Sequence, residues 1–189
     1  MNQEELAHAI RAACSLLNEP YVVVFGSQSL LGSHPESELP QEATLSIEVD
    51  ITPGNAVQRN LPEPELNMKL LQINADLGEN STFHDSFGFY VEAIHRDTVA
   101  LPRGWEGRLV RFTPLAEYGH IGYCLDPVDL CIAKIIAGRE KDHTFIAALL
   151  DAGVVAASDI LKRLAGEPIE WPSNEAAAAE GQAVDLSLV

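Results

Sequence analysis

The 189-residue chain carries 28 acidic and 12 basic residues, a formal net charge of −16, and 47 % of its residues are apolar. This apolar share excludes an intrinsically disordered chain, and the length suffices to bury a core as one domain. The negative charge argues against broad, non-specific binding to nucleic acid, because such binding depends on Lys and Arg neutralising phosphates.

The N-terminal half is predicted to mix helices and strands. Apolar residues at helical spacing predict amphipathic helices, and β-branched or alternating apolar residues predict strands. The helices are expected over 3–17 and 65–77, and the strands over 21–25 and 44–51. A short helix start is expected at 28–31, directly after the Gly26-Ser27 pair.

The C-terminal half predicts more strands and then a helical part. Strands are expected over 87–94, 108–112 and 121–125. A helix opens at Asp126-Pro127 and continues toward Leu150, with a bend permitted at Gly138, and a last helix covers about 158–164. We expect one domain over 1–166, with a core at 21–125, a helical part at 126–166, and an acidic, loosely ordered tail at 167–189.

The first motif with chemical meaning is the Gly26-Ser27 turn after the buried strand. Glycine lets the backbone turn sharply and lets a ligand approach it closely. Ser27 is placed to cap the following helix, which directs N–H groups and a hydroxyl toward an anion such as phosphate. The alternative interpretation is an ordinary strand-to-helix turn.

The second motif is a pair of carboxylates on the strand predicted over 44–51. Glu48 and Asp50 are two residues apart, so both side chains project from one face and can share a divalent cation. Hard oxygen ligands suit Mg²⁺, which bridges carboxylates to substrate phosphates. Together with the Gly26-Ser27 turn, this pair predicts a site for a metal and a nucleoside triphosphate (NTP). The alternative is the solvated face of an edge strand.

The third motif is a basic segment that ends in an acid. Lys134 and Lys141 are seven residues apart, which places them on one face of a helix, with Asp142 beside them and Arg139 to the side. Such cations suit a triphosphate and the charge of its transition state. Asp142 would act as a general base or pair with Lys134 or Arg139. A solvated helix face with local ion pairs is the alternative.

These motifs carry a family resemblance over about residues 21–150. The segments are Val24-Phe-Gly-Ser-Gln-Ser-Leu-Leu31, Leu45-Ser-Ile-Glu-Val-Asp-Ile51, Phe87-Gly-Phe-Tyr-Val91, Leu101-Pro-Arg-Gly-Trp105 and Asp129 through Asp142. Their order resembles the DNA-polymerase-beta-like nucleotidyltransferase superfamily. More narrowly, it resembles a compact branch of the AbiEii/MenT-like nucleotidyltransferase toxins of bacterial toxin–antitoxin pairs.

The resemblance implies an α+β fold, a mixed β-sheet flanked by helices with a C-terminal helical part. It implies that Glu48 and Asp50 hold Mg²⁺, and Glu92 is the candidate for a third carboxylate. It implies that Asp142 is the late catalytic acid residue. The residues expected at the nucleotide phosphates are Gly26, Ser27, Lys134, Arg139 and Lys141.

The resemblance also implies an acceptor, because the toxins of this group transfer nucleotides to the 3′ end of tRNA. An RNA acceptor and a cognate antitoxin protein are therefore expected. Seven basic residues would form a local positive face or lie scattered: Arg96, Arg103, Arg108, Arg111, Lys134, Arg139 and Lys141. Two alternatives keep the fold: an antitoxin-type enzyme that attaches AMP to a partner toxin, and an inactive nucleotide- or partner-binding module.

The remaining features predict location and redox state. The apolar run at 21–25 is far shorter than the ~20 residues that cross a bilayer, and the start of the chain is acidic where a signal peptide is positive. We therefore expect a cytoplasmic protein that does not contact a membrane. Three cysteines, at 14, 124 and 131, favour buried, reduced thiols, and the six histidines form no zinc motif.

Overall fold

The computed structural model describes residues 1–58, 60–112 and 119–172. Its seven described strands are β1 (Tyr21–Val24), β2 (Glu48–Pro53), β3 (Tyr90–Ala93), β4 (Leu101–Pro102), β5 (Val110–Phe112), β6 (Ile121–Cys124) and β7 (Ile169–Glu170). Its eight described α-helices are α1 (Gln3–Leu17), α2 (Gln41–Thr44), α3 (Gly54–Val57), α4 (Glu63–Leu77), α5 (Thr82–Phe87), α6 (Pro127–Ala137), α7 (Glu140–Asp151) and α8 (Ala157–Gly166).

Five of the strands form one mixed sheet in the order β3-β2-β1-β6-β5. β1 pairs antiparallel with β2 and parallel with β6, while β2 pairs parallel with β3. The end of β1 therefore lies beside the start of β2, and the start of β3 lies beside that of β2. The prediction of an α+β fold with a mixed sheet flanked by helices is confirmed.

Helices cover the two faces of the sheet with separate apolar layers. Val22 and Val24 of β1 face α1 and α4, whereas Val23 and the following Phe25 face α6 and α7. Since side chains alternate along a strand, one β1 sequence supplies both layers. Val49 and Ile51 of β2 join the α1 layer, which leaves the other face of β2 to its polar residues.

The first helix shows how local sequence sets the boundaries. Asn2 caps α1 by accepting from the backbone N–H of Glu5, and the Glu5 side chain accepts from the backbone N–H of Asn2. Asn18 ends the helix in the left-handed conformation. The bounds of α1 match the predicted helix over 3–17.

Two strands begin three or four residues later than the sequence predicts, and the predicted tail contains a short strand. The strand expected from Thr44 begins only at Glu48, because Thr44 ends α2. The strand expected from Phe87 begins at Tyr90, because Phe87 ends α5 and Gly88 caps that helix. The predicted tail contains β7, which pairs with β4, and residues 173–189 of that tail lie outside the described residues.

Within the described part of the chain, no helix is both long enough and apolar enough to span a membrane. The three cysteines are free and buried, as the sequence predicts.

Candidate active site

Three carboxylates meet on the polar face of the sheet. Glu48 and Asp50 project from the same face of β2, and Glu92 of β3 is the register partner of Asp50. One carboxylate oxygen of each residue lies within 4.8 Å of the oxygens of the other two. Such a set of hard oxygen ligands fits a divalent cation such as Mg²⁺.

The Gly26 turn lies against these carboxylates. The N–H of Phe25 donates to the backbone carbonyl of Asp50 at 2.9 Å, which joins the end of β1 to β2. Gly26 has a φ of +60°, and a Cβ built on it would lie 1.7 Å from Oδ2 of Asp50. Ser27 begins a 3-10 helix, Ser27–Gly32, directly after this contact. The two sequence motifs are therefore neighbours in space.

Hydrogen bonds surround Glu48. The hydroxyl of Tyr90 donates to Oε2 of Glu48 at 3.1 Å, and the Glu48 backbone N–H donates to Oγ of Ser46 at 3.2 Å. Burial acts to raise the pKa of Glu48, but hydrogen bonds with Glu92, Asp50 and Tyr90 outweigh it and lower that pKa. Glu48 therefore ionises more readily than a glutamate in water.

Asp50 has the opposite tendency. Burial, followed by the negative charge of Glu48, raises the pKa of Asp50 to about 7. The positive charges of Lys134 and Arg139 act against this rise. In the metal-free protein, Asp50 therefore carries a proton up to near-neutral pH. A divalent cation would replace that proton as the neutralising charge.

Lys134 and Arg139 are held together by a buried acid. Nζ of Lys134 donates to Oδ1 of Asp142 at 2.8 Å, and Nε of Arg139 donates to Oδ2 at 3.0 Å. Asp142 is 1 % exposed, and the Lys134 Nζ also lies 4.4 Å from the ring centroid of Phe145. The geometry favours the ion-pair alternative for Asp142, because each of its oxygens already accepts from a cation.

The expectation that Lys134 and Lys141 share one face of a continuous helix is wrong. Gly138 adopts a φ of +64° and ends α6, and α7 begins at Glu140. The chain turns between the two helices, and this turn brings Arg139 to the same acid as Lys134. Lys141 is exposed, and its positive charge acts on Glu48. The basic residues on both sides of the break therefore lie close enough to the carboxylates for their charges to act on Glu48 and Asp50.

The seven basic residues of the predicted positive face do not form one free surface. Arg96 is buried, and its Nε donates to Asp97 at 2.9 Å. Arg108 donates to Asp129 at 2.8 Å, and Asp129 is fully buried. Arg96 and Arg108 therefore stabilise the fold through ion pairs. They fit the expectation of scattered basic residues better than that of one positive face.

Two contacts of Glu48 were not predicted from the sequence. Tyr90 lies two residues before Glu92, so strand alternation places both on one face, and that spacing was a usable signal. Ser46 had no such signal, because its bond to Glu48 depends on where β2 begins. The remaining site residues of the sequence analysis lie around the three carboxylates or at the Lys134–Asp142 pair.

The sequence was also compared with known families. A family model described as "Nucleotidyltransferase of unknown function (DUF6036)" matches residues 4–180. The chain belongs to this family. The match includes every residue assigned above to the carboxylates, the Gly26 turn and the basic segment. No curated protein and no solved structure matches the chain.

Membership in this nucleotidyltransferase family supports the wider superfamily resemblance and a transferase activity. The family description does not extend to the AbiEii/MenT-like branch, so that assignment stays a prediction. The family's description names no substrate, and family membership alone does not determine one.

Proposed function

We propose that the protein transfers a nucleoside monophosphate from an NTP to an acceptor hydroxyl, with Mg²⁺ held by Glu48 and Asp50 and completed by Glu92. The observation that carries this proposal is the approach of three carboxylate oxygens within 4.8 Å of one another, beside the Gly26 turn. When bound, Mg²⁺ would neutralise charge on the phosphates and align them.

The other residues act on the nucleotide. Gly26 lets phosphate oxygens approach the backbone, and Ser27 offers a hydroxyl and an N–H there. Lys134, Arg139 and Lys141 supply positive charge opposite the triphosphate. Asp142 holds the first two of these cations in place, in preference to acting as a base.

The proposed reaction exchanges one P–O bond for another at the α-phosphorus of the NTP. The acceptor oxygen attacks the α-phosphorus, a new P–O bond forms, and the bond to the β-phosphate breaks, which releases pyrophosphate. The acceptor proton leaves to solvent or to a carboxylate of the site. Positioning and charge neutralisation supply most of the acceleration in such reactions.

For the acceptor we propose RNA, with the 3′ end of tRNA as the first substrate to test, in the role of a toxin with a cognate antitoxin. The support is the resemblance to the AbiEii/MenT-like enzymes in motif order. NTPs and tRNA meet in the cytoplasm, so the proposal includes that location.

The test is incubation with α-labelled NTPs, Mg²⁺ and total tRNA. Label in RNA from the wild type, and none from Asp50→Asn, is the expected result. Growth arrest on expression that disappears in the same variant would support the toxin role. Absence of label in RNA, under conditions in which a known transferase labels it, would contradict the RNA acceptor.

A second candidate acceptor is a partner protein that receives AMP, in an antitoxin role. The net charge of −16 and the pairing of Arg96 and Arg108 with carboxylates favour a protein over RNA. The same labelled reaction, run with cell lysate and separated into RNA and protein, distinguishes the two. Tight Mg·ATP binding without product in either fraction would instead support an inactive binding module.

A further inference from the structure

The side chain of Glu48 needs external support to act as a metal ligand. It is the first residue of β2, and the three residues before it, 45–47, belong to no strand. A glutamate has one more rotatable bond than an aspartate such as Asp50, so more conformational freedom is lost when its carboxylate is fixed. Something in the structure must hold this carboxylate near the other two.

Tyr90 provides the direct contact. It is the register partner of Glu48 on β3, and its hydroxyl donates to Oε2 of Glu48 at 3.1 Å. The Tyr90 ring packs against His84 of α5, with ring centroids 5.0 Å apart. A neighbouring helix therefore supports the ring, and the ring in turn presents the hydroxyl to Glu48.

The backbone of Glu48 is held from the other side. Its N–H donates to Oγ of Ser46 at 3.2 Å, and the Ser46 carbonyl accepts from Nε2 of Gln28 at 2.9 Å. Gln28 is 1 % exposed and follows directly after Ser27. The start of β2 is thus tied to the Gly26 turn. At the end of the side chain, Tyr90 supplies a hydrogen bond from outside the three carboxylates.

We propose that Tyr90 is a positioning residue for the divalent cation, which it serves by fixing the carboxylate of Glu48 through a hydrogen bond to Oε2. Oε1 then remains for the cation. Partners of this kind orient metal ligands, and their loss weakens metal affinity by roughly 10- to 100-fold. This inference rests on the proposed function, because it assumes that Glu48 is a metal ligand.

The direct test is Tyr90→Phe, which removes one oxygen and keeps the ring. Binding of Mn²⁺ to the purified chain is measured by electron paramagnetic resonance for the wild type and the variant. The expected result is a loss of affinity of about 10-fold. Tyr123→Phe is the matched control, because Tyr123 lies on β6 and packs on Tyr21, away from the carboxylates. It should bind Mn²⁺ like the wild type.

A double-mutant cycle separates positioning from general damage. The shorter arm of Glu48→Asp cannot reach the Tyr90 hydroxyl, so Tyr90→Phe should change Mn²⁺ affinity little in that background. An equal loss in both backgrounds would overturn the positioning role. In the transferase assay, Tyr90→Phe should raise the Mg²⁺ concentration for half-maximal activity, with the KM for NTP almost unchanged at saturating metal.

The outcomes distinguish the two proposals. If the wild type binds no Mn²⁺, the proposed metal-dependent function fails. If the wild type binds Mn²⁺ and Tyr90→Phe binds it equally well, the role of Tyr90 fails and the proposed function stands. A 10-fold loss confined to Tyr90→Phe in the Glu48 background supports both.

Discussion

Gly26 and Asp50 are packed so closely that the carboxylate of one fills the place where the other would carry a side chain. A Cβ at position 26 would lie 1.7 Å from Oδ2 of Asp50, well inside any permitted contact. The φ of +60° at Gly26 adds a second requirement for glycine. The turn and the carboxylate therefore depend on each other for their geometry.

This packing predicts the effect of Gly26→Ala. The carboxylate of Asp50 is the mobile partner, so it would move and leave the other two acids. A displacement of about 1 Å can reduce catalysis roughly 100-fold. We expect a loss of that size in the rate at which the nucleoside monophosphate is transferred. Mn²⁺ affinity should fall with it.

Gly153→Ala is the control for backbone strain. Gly153 has a φ of +70°, but a Cβ there would meet nothing within 4 Å. It should lose about 1–2 kcal/mol of stability from the left-handed conformation, with normal Mn²⁺ binding. Equal metal binding in Gly26→Ala and the wild type would refute the clash argument.

The raised pKa of Asp50 predicts that this residue destabilises the metal-free fold at high pH. A carboxyl with a folded pKa of about 7 contributes stability at low pH, and the contribution is lost as the pH rises through that value. Asp50→Asn, measured in chelator, should therefore have a higher Tm than the wild type at pH 8, by about 2–4 °C for each kcal/mol relieved.

The difference between Asp50→Asn and the wild type should shrink at pH 5, where Asp50 is protonated in the folded wild type. Thermal unfolding followed by circular dichroism at both pH values measures this. Asp76→Asn, at an exposed position of α4, is the control and should show no such pH dependence. A lower Tm for Asp50→Asn at pH 8 would contradict the prediction.

Local sequence predicted most of the fold, but it did not predict where β2 begins. The alternation of Leu45 and Ile47 with polar residues continues the pattern of β2, yet both side chains are more than 40 % exposed. β2 begins only at Glu48, because the strand with which it pairs, β3, begins at Tyr90. A boundary set by a partner strand distant in sequence cannot be derived from alternation alone.

The carboxylate pair could be predicted because strand alternation alone places Glu48 and Asp50 together. The relation between Lys134 and Asp142 could not, because it depends on how the chain turns at Gly138. Helical periodicity continued across that glycine, and the sequence offered no way to choose between a bend and a break. Only the broken form gives Asp142 two cationic partners.

Asp142→Asn should destabilise the protein strongly. Its carboxylate is buried and bound by Lys134 and Arg139. Neutralising it leaves the largely buried Lys134 without its counter-charge, whereas the half-exposed Arg139 stays solvated. Removing one partner of a buried ion pair costs about 3–5 kcal/mol, and we expect a loss of that order in urea unfolding.

Asp151→Asn is the matched control for Asp142→Asn, because it lies at the exposed end of the same helix, α7. Its stability should stay within about 0.5 kcal/mol of the wild type. If Asp142→Asn were equally mild, the ion pairs of Asp142 with Lys134 and Arg139 would not be important for stability. A general base would then be the better interpretation of Asp142.

Lys141→Ala should affect binding without affecting the fold. Lys141 is exposed, so the stability should change by less than about 0.5 kcal/mol. The loss of its positive charge beside Glu48 should raise the KM for NTP about 2- to 5-fold at moderate salt. Lys162→Ala, exposed on α8, should leave the KM unchanged; a similar increase there would indicate a non-specific charge effect.

The cysteines should be unreactive in the folded protein. Burial raises the pKa of Cys14 and Cys124 to about 12, and that of Cys131 to about 11. The nucleophilic thiolate is therefore scarce at pH 8. Ellman's reagent should label the native protein only as it unfolds, and should label all three thiols at once in denaturant. Rapid labelling of the native chain would contradict this.

The buried carboxylate of Asp129 has a consequence for any attempt to shorten the chain. It accepts from Arg108, beside the sheet, and from Arg163 of α8 at 2.9 Å, and Arg163 also contacts Asp126. A version cut before α8 would remove Arg163, so the buried carboxylate of Asp129 would keep Arg108 as its cationic partner and lose the second one. Because Asp129 links the segment before β5 to the last helix, the shortened chain should be less stable than the full chain.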